Sequence, residues 1–244
     1  MFQITASAPT RIDLAGGTLD IWPIHHLIPK KATVNIAIDL KSNINITPTK
    51  NSHFSIDSRD LGIKVEGDYD KIITDKTLPL LSLILKALWR KDLPSLEIKT
   101  EARSPKGAGI GGSSSLALIA YAGIRQARQL YDPLEQIDEQ NLINTVRDLE
   151  AKLIKTPTGC QDYWPCLRGG INIINYDFGL TKVDTLDTKA FQELKKWMLL
   201  YYSGKSRDSA TNNWEVYKHF FNQDKKTIQT FTKIGELALA CAQA

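Results

Sequence analysis

Cysteine, histidine and methionine are scarce in this sequence. Its 244 residues include three Cys, four His and two Met. Cys160, Cys166 and Cys241 form no C-x-x-C pair, which argues against a zinc site or a disulfide framework. His25 and His26 have no matched partners at metal-ligand spacing, so a histidine metal site is disfavoured. One-sided charge is also lacking. Lys and Arg number 31 and Asp and Glu 27, a balance of +4 that gives no argument for nucleic acid. No basic start and apolar core mark the N-terminus as a signal peptide. The most apolar stretch, residues 78–89, is too short for a membrane span and carries Lys86. With 42% apolar and 24% charged residues, the composition is that of a globular chain. A soluble, reduced, cytoplasmic protein is the expectation.

The first hundred residues read as strands. Residues 2–8, 33–40 and 43–49 alternate, with β-branched side chains on every second position. Shorter strands are expected at 54–57, 62–66 and 95–101, with a helix at 79–91 begun by Pro79. Helices are then expected at 113–130, capped by the serines, and at 134–154, with a strand at 169–177. The polar stretch 179–188 reads as a domain boundary. Beyond it come a helix at 188–196, a strand at 197–203, and helices at 207–221 and 224–243. Strands first and helices later suggest an α+β fold. The chain closes on a helical sequence, 237–244, with no stop signal. A frayed helix and a truncation both fit that end. The tryptophans, Trp197 among them, read as packing residues.

The most informative segment is 104–115, Ser-Pro-Lys-Gly-Ala-Gly-Ile-Gly-Gly-Ser-Ser-Ser. Four glycines in six positions let backbone approach a ligand closely. Successive N–H groups can turn into one concavity, and the helix behind adds its unpaired N–H groups and positive dipole end. That combination binds phosphate. Gly107, Gly109 and Gly112 match G-x-G-x-x-G, but the polar residues 102–106 stand where a dinucleotide fold has a buried strand. The P-loop lysine is missing. A capped glycine linker is the bland alternative, against which the tight join to an apolar helix argues.

These residues resemble a known family. Pro105-x-x-x-Gly109-Ile110-Gly111-Gly112-Ser113-Ser114-Ser115 is similar to the central signature of the GHMP kinases, which include galactokinase, homoserine kinase, mevalonate kinase and phosphomevalonate kinase. The extra glycine resembles the sugar and heptose-phosphate branch. Residues 8–20 (Ala-Pro-Thr-Arg-Ile-Asp-Leu-Ala-Gly-Gly-Thr-Leu-Asp) resemble the N-terminal motif. Residues 158–163 and 168–172 resemble the loop of the catalytic aspartate, and 199–207 a later strand and turn. A third, C-terminal glycine-rich motif has no match, and family members are longer. The Glu-His pair of galactokinases is missing before Asp20, which disfavours galactose.

The resemblance implies a two-domain α+β protein. An N-terminal, ATP-binding domain over 1–185 would be ribosomal-S5-like. Residues 186–244 would form an incomplete ferredoxin-like C-terminal domain. It implies ATP and Mg²⁺ as cofactors and a sugar or sugar phosphate as partner, with no nucleic acid or membrane. Pro105, Gly107, Ala108, Gly109, Gly111, Gly112, Ser113, Ser114 and Ser115 would wrap the phosphates, with Ser114 and Glu150 on the metal. Asp162 and Arg11 would be catalytic, Asp162 orienting or deprotonating the acceptor hydroxyl and Arg11 steadying phosphoryl charge. Asp20, Gly17, Thr18, Gly170 and Arg207 would face the acceptor. Lys205 could share a second phosphate with Arg207, and Trp164 could line the site. Beside heptose 7-phosphate-like kinase activity stand a non-catalytic nucleotide or sugar-phosphate binder, a mevalonate-type kinase and, last, a dinucleotide-dependent oxidoreductase.

Overall fold

The computed structural model describes residues 2–29, 31–49, 53–177, 180–206 and 209–244. In chain order the elements are β1 (Ile4–Ala15), α1 (Ile24–Leu27), β2 (Ala32–Pro48), β3 (Phe54–Ser58), β4 (Ile63–Gly67), α2 (Tyr69–Ile73), α3 (Pro79–Leu88) and β5 (Leu96–Ala102). There follow α4 (Gly112–Gln129), α5 (Glu139–Ile154), α6 (Tyr163–Arg168), β6 (Ile171–Asp177), β7 (Leu180–Thr185), α7 (Thr188–Lys195), α8 (Ser209–Phe221) and α9 (Lys225–Gln243). The fold is mixed α and β, as expected from strands that precede interleaved helices.

Two compact units divide the chain. The first holds residues 1–8, 40–105 and 112–153. In it β3 pairs antiparallel with β4 and parallel with β5, and β5 pairs antiparallel with residues 42–48 of β2. Ile44 and Ile46 are buried while Asn43, Asn45 and Thr47 keep partial access, the period-2 signature of a half-buried strand. Pro79 opens α3, where its missing N–H costs nothing, and Leu81, Ile84 and Leu85 bury one face at helical spacing. That face packs against α4. Each fully buried Ile or Leu contributes about 1.5–3 kcal/mol. Gly123 of α4 lies where a Cβ would come within 2.9 Å of Ile46, so helix and sheet meet closely.

The second unit holds residues 9–39, 106–111 and 154–244. Residues 32–36 of β2 pair antiparallel with β6, and β6 with β7. Leu19, Ile21, Ile24, Ile28, Phe220 and Phe231 form one buried cluster, and Val34, Ile36 and Ile171 another, against which Phe191 and Leu194 of α7 pack. Asp224 caps α9 by accepting the Thr227 N–H.

Three expectations change. Residues 33–49 make one strand rather than two, and β1 continues through the 9–15 motif. Helix α4 starts at Gly112, so the serines lie inside its first turn instead of capping it. No strand forms at 197–203; Trp197 is 85% and Leu199 94% exposed. Its run of apolar and aromatic residues suits a strand, but among the described residues it has no strand to pair with. No described helix is long and apolar enough to cross a membrane.

Candidate active site

In the first unit the chemistry lies at the start of α4. Ser114 Oγ donates to Glu150 Oε2 at 2.8 Å, and both residues are buried. Ser115 Oγ donates to the Ala8 carbonyl at 3.1 Å, tying the helix start to β1. Ser113 is exposed. A Cβ on Gly112 would lie 2.2 Å from Ser104 Oγ, which leaves that position to glycine. A carboxylate kept out of water needs a compensating partner, and Ser114 supplies one. The pair also suits a hard cation. Neighbouring ligands on an octahedral Mg²⁺ stand about 2.9 Å apart, given metal–oxygen distances of ~2.05 Å. Among the described residues no group of three His, Cys, Asp or Glu could hold a metal ion.

In the second unit a single arginine organises the rest. Arg11, on β1, sends Nε and Nη2 to Asp162 Oδ1 at 2.8 and 2.5 Å, and Nη1 to the Gly109 carbonyl at 2.8 Å. Its backbone N–H donates to the Ile110 carbonyl at 3.0 Å. Asp13 Oδ1 stands 3.3 Å from Arg11 Nε. Burial opposes the charge on Arg11, but the carboxylates of Asp162 and Asp13 outweigh it and hold the guanidinium firmly protonated. Asp162 precedes α6, whose end is fixed by Gly169 at positive φ. Its side chain does not cap that helix and is one-quarter exposed. A Cβ on Gly111 would touch the Asp162 side chain at 3.3 Å.

Gly107, Gly109 and Gly111 all have positive φ, 71–75°, so the loop turns its backbone at every second residue. Alternation of this kind builds anion-binding concavities. Pro105 is exposed and Ala108 half-buried. A Cβ on Gly107 would fall 1.8 Å from Ser206 Oγ. The turn that carries Lys205 thus lies against the glycine loop, while Arg207 falls outside the described residues.

Asp20 is 4% exposed and accepts the Gln161 N–H at 2.8 Å. Burial lifts its carboxyl from the usual 3.8 to about 7; the Gln161 N–H and Arg11 pull it down, while Asp162 and Asp13 push it up. Gly17 rests against Asp13, where a Cβ would meet Oδ2 at 3.0 Å. Thr18 has φ +81°, a strained conformation for a β-branched residue. Gly170 accepts the Ala37 N–H and has φ +62°. Trp164 is buried beneath Arg168, whose guanidinium stacks 5.3 Å from the ring, so it packs instead of lining a site.

The structure brings Arg11, Asp162 and Gly109–Gly111 together, sets Ser114 on Glu150, and joins Asp20 to the Asp162 loop. It adds Asp13, Thr33, Asn35 and Gln161, which have no role in a reading of the linear sequence. Asn35 was findable, since an amide inside an apolar, β-branched strand needs a buried partner.

Residues 80–170, which span the glycine loop, Glu150 and Asp162, match the family model of the GHMP kinases N terminal domain. Over those residues the chain is similar to a GHMP kinase N-terminal domain. The GHMP resemblance of the whole chain has further support. It is 24% identical to D-glycero-alpha-D-manno-heptose 7-phosphate kinase of Campylobacter jejuni, over 100% of this chain and 72% of that protein. A D-glycero-D-manno-heptose 1-phosphate kinase from Bacteroides thetaiotaomicron superposes with a TM-score of 0.70 at 22% identity, covering 96% of this chain and 74% of that one. The Methanococcus jannaschii mevalonate kinase superposes with a TM-score of 0.66 at 15% identity, covering 100% and 73%. These likenesses establish a GHMP kinase fold.

Proposed function

We propose that this protein is an ATP-dependent kinase that phosphorylates a hydroxyl of a sugar or sugar phosphate, most like a heptose 7-phosphate kinase. One observation carries the reading: Arg11 grips the Asp162 carboxylate and the Gly109 carbonyl with one guanidinium. Phosphoryl transfer rests on positioning and electrostatic stabilisation, and this one cation ties the candidate base to the phosphate-type loop. When bound, MgATP supplies the transferred phosphoryl group. Residues 105–115 would hold its phosphates through backbone N–H groups and the α4 start, and Ser114 and Glu150 would hold the metal. Asp162 orients the acceptor hydroxyl and receives its proton. Arg11 would steady the negative charge of the transferred phosphoryl group. Gly17, Thr18, Asp20, Gly170 and Arg207 belong to the acceptor side, with Lys205 placed for a second phosphate. The division into a nucleotide-binding part, 1–185, and a C-terminal part, 186–244, belongs to the same proposal. So do a cytoplasmic location and the expectation of no nucleic-acid or membrane partner.

The test is ADP release with a panel of heptose and hexose phosphates. Asp162→Asn is expected to lower kcat by about 10²–10⁴-fold and to leave MgATP binding within twofold. Loss of MgATP binding by a folded variant would remove Asp162 from the catalytic role. Binding of nucleotide or sugar phosphate without turnover is the second reading, resting on the C-terminal glycine-rich motif that has no match in the sequence. Sugar-dependent ADP release by the wild type would eliminate it.

A further inference from the structure

Gln161 has every polar group engaged. Its backbone N–H donates to Asp20 Oδ2 at 2.8 Å, and its carbonyl accepts from Asn35 Nδ2 at 3.0 Å. Its side-chain Nε2 donates to Asp13 Oδ2 at 3.2 Å, and Oε1 lies 3.3 Å from Thr33 Oγ1. These partners come from β1, from the turn after it, and from β2. Gln161 is 8% exposed, so water does not compete for these bonds. Thr33 is itself held: its one hydroxyl proton is shared between the Gly16 carbonyl at 2.9 Å and Gln161 Oε1, and it accepts from Tyr176 Oη at 2.8 Å. Gly159 closes the loop down on Asp20, since a Cβ there would lie 1.7 Å from Asp20 Oδ2. The residue that follows is Asp162. Asp13 serves both sides, with Oδ1 near Arg11 Nε and Oδ2 on Gln161.

We infer that Gln161 is the positioning residue of the active site: anchored by Asp13, Asp20 and Asn35, it fixes the backbone from which Asp162 is aimed. This rests on the kinase reading, in which Asp162 is the base. The amide is needed for its two-sided character. One end must donate to a carboxylate and the other must accept from a hydroxyl, and of similar side chains only a glutamine of this length does both.

The experiment uses the full chain with MgATP and heptose 7-phosphate, comparing wild type, Q161A and Q161E. Amide hydrogen exchange across residues 157–163 is read beside the kinetics. Q161A is expected to speed exchange there at least ~10-fold, and to lower kcat about 10²-fold through misalignment of Asp162. KM for ATP is expected to stay within about twofold, because the 105–115 loop is untouched. Q161E keeps the volume but sets a second carboxylate against Asp13. The charged groups facing it are Asp13, Asp20, Asp162 and Arg11, with Tyr176 behind Thr33. Its kcat at pH 8 is expected to fall at least as far, and to recover in part toward pH 6 as the introduced carboxyl regains a donor proton. Unchanged exchange and kcat in folded Q161A would overturn the inference, as would a Q161E loss equal at both pH values. If wild type releases no ADP with any sugar phosphate, the kinase reading fails by itself. The exchange difference then still decides whether Gln161 anchors the loop.

Discussion

Asp20 carries the largest electrostatic cost among the residues of the site. Its carboxyl is buried and raised to about 7, against 3.8 in water. Between those values the folded protein keeps a proton that the unfolded chain has lost, so stability falls as pH rises from about 4 to about 7. The full penalty, present above pH 7, is about 4 kcal/mol at most for three pH units. Asp20→Asn keeps an acceptor for the Gln161 N–H and removes the charge. Thermal unfolding from pH 4 to 8 is expected to show a flatter stability profile in the variant. An unchanged slope would mean that Asp20 is not the group responsible. Gly159 gives a second residue-scale prediction. A Cβ there collides with Asp20, so Gly159→Ala is expected to cost about 1–3 kcal/mol and to depress kcat, measured by denaturant unfolding and by ADP release. The motif residues Arg11, Asp20 and Asp162 were legible because charged residues beside glycines and prolines stand out in a linear reading. Asp13 and Gln161 were not: their importance lies in which atoms they meet across the chain, and no spacing encodes that.

At the scale of elements, periodicity carried most of the fold. β3, β4, β5, α4 and β6 lie within two residues of their expected bounds, because each buries one face at its own period, and α3 ends three residues early, at Leu88. Helix α5 starts five residues late, at Glu139 instead of 134. Pro133 and the polar residues behind it offer no buried face there. The merging of 33–40 and 43–49 into β2 has a plain cause: Lys41 and Ser42 break the apolar pattern but not the hydrogen-bonded ladder, for Ser42 pairs with Ala102. The segment 197–203 failed in the other direction. Aromatic and aliphatic residues create strand propensity, yet a strand exists only with a neighbour to bond. Leu199, 94% exposed, supports a sharp prediction. Leu199→Ser is expected to change unfolding free energy by less than about 0.5 kcal/mol. A loss above about 2 kcal/mol in denaturant titration would mean that this side chain is packed in solution.

For the whole molecule, the account joins a GHMP kinase fold to a cluster of charges that would have little purpose in a passive scaffold. Arg11 is nearly inaccessible and faces two carboxylates. Removing such a partner typically costs about 3–5 kcal/mol, so an arrangement of this kind is not an accident of surface charge. The most direct measurement is sugar-dependent ADP release from MgATP, wild type against Asp162→Asn, with MgATP binding followed by calorimetry in both. The account predicts turnover of a heptose or hexose phosphate by the wild type. It also predicts loss of that turnover in the variant and equal nucleotide binding by the two. Turnover that survives in Asp162→Asn, or a folded wild type that neither binds MgATP nor releases ADP with any sugar phosphate, would contradict it.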